Sequence, residues 1–256
     1  MSTEPPGGGV IRRYRERLWE LMEWIEATQG PAIAAGAALL AEATEQDRLI
    51  HVIGTGVHSR LAAEDAFFRA GGLANVNPIL ALPMESGVRY ITACEQRAEP
   101  VSALLDMHPL TPGDPLVVAN LYGMNAFTIE TLAQADRRRL RVILLTSRAC
   151  AKGIPKDHPS RHPTGKDADE MPHEVLIDVP MPMGDALLGF EGCPFPVAPS
   201  SGVLLSFTLH ALFATAVERL LRSGFDAPVI RSINTPDYGV SNLRLWRKYS
   251  ERVKHL

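Results

Sequence analysis

A chain of 256 residues, 46% hydrophobic and 21% charged, can bury a full core, and its length suits one domain or two. The formal net charge of -3 supplies no basic field for a nucleic-acid backbone, and Arg137-Arg138-Arg139 reads as a solvated helix terminus. Cys94, Cys150 and Cys193 fit neither a zinc knuckle nor a CxxC pair, which points to packing roles in a reducing compartment. The first residues contain no apolar signal segment, and no stretch approaches the roughly 20 apolar residues that span a bilayer, so the expectation is a cytoplasmic protein with no membrane contact.

Residues 1–9 read as a disordered lead before one domain over 10–256. Tyr14, Leu18, Leu21, Met22 and Ile25 recur at helical spacing, and Gly30-Pro31 should end that helix. A second, Ala-rich helix then runs to about Glu45 and completes a helical arm over 10–46. A sheet core is expected over 47–222. Leu49, Ile50, Val52 and Ile53 make a short buried strand that stops at Gly54, with a helix following from about Ser59. Further strands are predicted at Asn75–Leu82, Pro115–Leu121, Leu140–Thr146 and His173–Val179, with helices over Cys94–Met107 and Asn125–Ala135 between them. Short continuous apolar strands alternating with helices predict an α/β fold, a doubly wound five-stranded parallel sheet flanked by helices. Val203–Leu221 is apolar nearly all round, as in a helix buried in a core or subunit interface. The segment 223–256 closes with a helix carrying Trp246, Tyr249 and Val253 on one face.

Ligands of such sheets sit beyond the carboxyl ends of the strands, which directs attention to the loops there. The first is Gly54-Thr55-Gly56-Val57-His58-Ser59, whose glycines allow close backbone approach and whose Ser59 stands where it would cap a helix receptive to an anion. Ser59 replaces the third glycine of a dinucleotide fingerprint, and no Gly-Lys-Ser/Thr follows as in a P-loop. Asn120-Leu121-Tyr122-Gly123-Met124-Asn125 and Pro199-Ser200-Ser201-Gly202 also open helices, so three polar helix starts could converge on one anion.

These loops resemble the sugar isomerase (SIS) domain family of phosphosugar isomerases and phosphosugar-binding proteins, closest to uncharacterised bacterial members of similar length. The resemblance spans residues 10 to 254. It rests on Gly54-Thr-Gly-Val-His-Ser59, Phe68-Arg-Ala-Gly-Gly-Leu-Ala74, Tyr122-Gly-Met-Asn-Ala-Phe-Thr-Ile-Glu130, Ser160-Arg-His-Pro-Thr-Gly-Lys166, Gly184-Asp185, Ala198-Pro-Ser-Ser201 and Arg231-Ser-Ile-Asn234. It implies a flavodoxin-like sheet, a homodimer or homotetramer with sites built partly at subunit boundaries, and hydroxyl groups on a substrate phosphate. Thr55, Ser59 and Ser201 are the hydroxyls it carries over. The third loop departs from the family's Ser-x-Ser-Gly, reading Asn120-Leu121-Tyr122-Gly123, so a carboxamide and a phenol stand where the family carries small hydroxyls.

Isomerisation or dehydration of a sugar phosphate needs a base for a carbon-bound proton and an acid for the oxygen. Candidate bases are Glu64, on the helix after Ser59, and Glu85, on the loop after the second strand. Glu64 could equally pair with Arg60 at i, i+4, and Asp65 with Arg69. His58 lies inside the first loop, His210 about where some family members carry a catalytic histidine, and His162 in the shared Ser160-Arg161-His162. No metal-ligand spacing occurs, so neither metal nor cofactor is expected. The rival reading is a phosphosugar sensor with the same pocket and no competent base.

Overall fold

In the computed structural model, which describes residues 8–81, 87–236 and 238–256, a five-stranded parallel sheet forms the centre. Its strands are β1 (Ile50–Gly54), β2 (Val76–Ile79), β3 (Pro115–Ala119), β4 (Arg141–Thr146) and β5 (Val175–Asp178), in the order β2-β1-β3-β4-β5. Every pairing is parallel; Gly54 lies opposite Ala119 where β1 and β3 end. From β1 the chain first winds to one side and then to the other. The order therefore reverses between β1 and β3, and a crevice opens at their carboxyl ends.

Period-two alternation sends the strand side chains to two covered faces. Ile50, Val52, Val117, Ile143 and Ile177 meet α1 (Gly8–Glu45), α2 (Leu61–Ala66) and α7 (Ser201–Arg222). Ile53, Leu116, Val118, Val142 and Leu144 meet α4 (Pro100–Asp106) and α5 (Ala126–Arg137). The helix α3 (Val88–Glu95) precedes α4, α6 (Arg148–Gly153) follows β4, and α8 (Tyr238–Tyr249) closes the chain. Tyr249 and Val253 are buried with Leu49 and Leu245, although Val253 lies past the end of α8.

Several boundaries differ from expectation. The break at Gly30-Pro31 does not occur: α1 runs 38 residues with Pro31 inside it and already includes Gly8 and Gly9 of the expected lead. Pro31 is exposed, and the following turns bury Ile33, Gly36, Ala37 and Leu40 against α7, with Leu212 only 3.0 Å from where a Cβ on Gly36 would lie. That tertiary packing outweighs the local breakers. The helix expected over 94–107 is two helices, because Pro100 starts a new one at its first turn. Between β5 and α7 stands an unforeseen antiparallel hairpin of β6 (Ala186–Leu188) and β7 (Val197–Pro199). By length and composition α7 could cross a bilayer, yet its buried residues pack into the core under α1 and the sheet.

Candidate active site at the carboxyl edge of the sheet

The loop after β1 turns back tightly. A side chain at Gly54 would collide with the Ser59 carbonyl, and one at Gly56 would stand 3.1 Å from Asn120 Nδ2. Thr55 points inward instead, fully buried, its hydroxyl 2.8 Å from that of Thr128. It fixes the floor of the crevice and does not line it. Ser59 precedes α2 without capping it: α2 begins after Arg60 with no side-chain cap.

Asn120 organises the loop after β3. Its Oδ1 accepts the N–H groups of Tyr122 (3.0 Å) and Gly123 (3.1 Å), while Nδ2 donates to the Thr128 hydroxyl (2.7 Å) and to Asn125 Oδ1 (3.3 Å). Gly123 has φ of 59°, and a side chain on it would strike the Thr146 hydroxyl. Tyr122 stands half-buried at the cavity wall. Burial above all, and then the neighbouring Cys150 and Asp185, raise its phenol pKa.

The third element is the start of α7. Asp185, at the foot of the hairpin, receives the Ser200 and Ser201 N–H groups on Oδ1 at 2.9 and 2.6 Å. The Ser200 hydroxyl donates to the same oxygen at 3.0 Å, and the Ser201 hydroxyl to Oδ2 at 2.6 Å. The helix end that was expected to offer free donors is therefore filled by the chain's own carboxylate.

These elements enclose a cavity of about 530 Å³. Of the candidates named from sequence, Gly56, His58, Ser59, Asn120, Tyr122, Asn125 and Ser201 line it, whereas Gly54, Thr55, Gly123 and Ser200 are not among its lining residues. Glu64 does not reach it: it pairs with Arg60 on the surface, beside a separate depression that His58 also borders. His210 is likewise elsewhere, with Nε2 2.8 Å from Asp65 Oδ2, an oxygen that the Ser206 hydroxyl also approaches at 2.6 Å. His162 bonds the Thr164 hydroxyl at 2.8 Å and is not among the lining residues. Glu85 lies outside the described residues.

Among the described residues the carboxylates that face the cavity are Asp185 and Glu95, and sequence reasoning missed Glu95. It ends α3, and its Oε2 accepts the Val57 N–H at 3.1 Å. Burial raises its pKa, partly offset by that bond. Its sequence signal was its place four residues after the fully buried Ile91, an acid on the inward face of a helix. His158 and Ser160 were missed as well. Ser160 N–H donates to His158 Nδ1 at 3.2 Å, and the Ser160 hydroxyl accepts from Gln96 at 3.1 Å. The buried Arg161 beside them anchors the loop through Asp167 and the carbonyls of Ala151, Ile154 and Pro155.

The described wall thus combines two carboxylates, two imidazoles, hydroxyls and carboxamides, with no lysine or arginine among its described residues. Among the described residues no group of three or more His, Cys, Asp or Glu side chains could hold a metal ion. A half-buried carboxyl with a raised pKa, next to hydrogen-bonding side chains, is equipped to move protons on a polyhydroxylated ligand.

The SIS domain family matches residues 13–147. A UPF0309 protein of Caldanaerobacter subterraneus subsp. tengcongensis is 33% identical over 252 residues, covering 96% of this chain and 100% of its own. A UPF0309 protein of Streptomyces coelicolor is 33% identical over 259 residues, covering 99% and 98%. Among solved structures, a phosphoheptose isomerase from Neisseria gonorrhoeae is similar with a TM-score of 0.52 and 18% identity, covering 83% of this chain and 98% of that one. One from Francisella tularensis gives 0.50 and 14%, covering 85% and 100%. These two likenesses bear on the fold. The family match takes in the sheet from β1 through β4 and both crevice loops, and the chain belongs to the SIS-domain family, alongside bacterial UPF0309 proteins.

Proposed function

We propose that the chain binds a sugar phosphate in the crevice cavity and transfers a proton beside the sugar's carbonyl, with Glu95 as the base. Membership of the SIS family and the likeness of the fold to phosphoheptose isomerases support the substrate class. The observation that carries the chemistry is Glu95 itself, a half-buried carboxyl on the cavity wall tied to the β1 loop. In this reading its carboxylate removes the proton from the carbon next to the carbonyl, leaving an enediolate. Transfer of a proton between the two enediolate oxygens and return of the abstracted proton to the adjacent carbon complete an isomerisation; loss of a neighbouring hydroxyl, which takes the abstracted proton and leaves as water, completes a dehydration. Ser59 and His58 would receive the phosphate. The exposed Trp19 and Trp24 of α1, and Val203 and Phe207 of α7, support self-association as a homodimer or homotetramer, which sedimentation velocity tests.

The catalytic assignment is tested by NMR in D₂O with hexose, heptose and amino-sugar phosphates. Wild-type protein should bring deuterium into the carbon beside the carbonyl, and Glu95→Gln should slow this at least 100-fold, within the usual range for a lost general base. Exchange at the wild-type rate in Glu95→Gln would remove the assignment. Binding without exchange in the wild type would instead favour the sensor reading.

A further inference from the structure

The α7 end of the cavity is chemically unlike an anion cradle. Asp185 Oδ1 takes the N–H groups of Ser200 and Ser201 and the Ser200 hydroxyl, and Oδ2 takes the Ser201 hydroxyl at 2.6 Å. A serine hydroxyl has one proton, and a hydroxyl that has donated it offers only lone pairs to any further partner. Ser201, which lines the cavity, is therefore available to a ligand as an acceptor, next to Asp185, which lines it too. The β3 loop repeats the pattern. The Tyr122 and Gly123 amides, which could have faced a ligand, are bonded to Asn120 Oδ1. A phosphate brought to this end would meet a carboxylate and committed donors. A sugar hydroxyl or an ammonium group would meet acceptors that lack only a proton.

We infer that Asp185 and Ser201 form the hydroxyl-binding end of the cavity and determine which sugar fits, holding the phosphate away from α7 and toward Gly56–Ser59. This rests on the sugar-phosphate reading above and adds a polarity to it: donor groups of the sugar at α7, anion at the β1 loop. It also gives the shared Gly184-Asp185 pair a role in ligand choice, since Asp185 both bonds the first amides of α7 and lines the cavity.

Calorimetry with two probes tests this. One is inorganic phosphate; the other is whichever of fructose 6-phosphate, glucosamine 6-phosphate and sedoheptulose 7-phosphate binds the wild type most tightly. Ser201→Ala keeps both Asp185 bonds to the helix amides, so it should fold normally. It should weaken the sugar phosphate at least fivefold and leave inorganic phosphate within twofold of wild type. Asp185→Asn should do the same more strongly, and Ser59→Ala should weaken both probes. An unchanged sugar-phosphate affinity in Ser201→Ala overturns the inference. So does tighter binding of inorganic phosphate by Asp185→Asn, which would make Asp185 a competitor of the anion. If no sugar phosphate binds the wild type, the functional reading itself fails, a result distinct from either of these.

Discussion

The carboxylate of Glu95 lies 3.1 Å from the Val57 amide nitrogen, so the end of α3 and the loop after β1 share a hydrogen bond at the cavity wall. The two residues are 38 positions apart in the chain, yet they meet in space because β2 returns the chain beside β1 before α3 begins. The bond holds the carboxyl at the site while burial pushes its pKa up.

A half-buried acid whose pKa burial raises, such as Glu95, is a cost to folding when ionised. The folded state then binds its proton more tightly than the unfolded chain, so this group's contribution to stability falls as pH rises through the raised value. Glu95→Gln should accordingly stabilise the protein at pH 8 relative to wild type. The gain should shrink toward pH 4. Urea unfolding at both pH values measures it, and a loss of stability at pH 8 would contradict the argument.

The opposite edge of the sheet has its own titrating network. Asn77 Nδ2 is 3.0 Å from His51 Nδ1 and 3.2 Å from His108 Nδ1, and Asn77 Oδ1 accepts the Lys254 N–H at 3.3 Å. Asn77 Nδ2 thus faces Nδ1 of both imidazoles, and His51 Nε2 lies 3.3 Å from Asp114 Oδ2. Burial, followed by the charges of Lys254, His255 and His51, lowers the His108 pKa to about 4. The unfolded chain protonates this residue first, so stability is full above pH 6.5 and falls as pH drops toward 4. The loss should reach about 2–3 kcal/mol by pH 4.5. His108→Gln, whose carbonyl can still accept from Asn77, should flatten that slope. Asp114 adds a later loss: hydrogen bonds from His51, Thr111 and Arg48 outweigh its burial and hold its pKa at about 2, so its contribution disappears as pH falls from about 4 to 2.

Glycine substitutions should separate close approach from open space. Gly54→Ala collides with backbone at Ser59 and should cost about 3 kcal/mol or more, or prevent folding. Gly30→Ala has nothing within 4 Å and lies inside α1, so it should stabilise by roughly 0.5–1 kcal/mol. Thermal unfolding checks both. Destabilisation by Gly30→Ala would argue against a continuous α1.

Glu64→Ala removes only a surface pair with Arg60. Stability should stay within about 0.5 kcal/mol of wild type, and deuterium exchange into substrate should be unchanged. A large loss of exchange would return Glu64 to the chemistry.

What could be read from sequence followed from local patterning. Each sheet strand is a short apolar run, and Gly54 and the Asn120 loop mark the crevice because small and polar residues interrupt those runs. What could not be read depends on contacts distant in sequence. Pro31 stays helical because α7 packs beside it; Asp185 fills the start of α7 from fifteen residues upstream. Thr55 looked like a ligand hydroxyl but turns to Thr128, 73 residues away. Glu95 was hidden by a misjudged helix boundary: with α3 beginning at Val88, the carboxyl falls on the inward face, whereas a helix beginning at Cys94 leaves its direction undefined. The β6–β7 hairpin has strands of three residues each, too short to show a period.

Crystals soaked with the tightest-binding sugar phosphate test the central claim most directly. The account predicts ligand density in the crevice between the β1 loop, Tyr122 and Ser201, with a sugar carbon next to a carbonyl within reach of Glu95. Density confined to the depression beside Glu64 and Arg69, with the crevice empty, would contradict it.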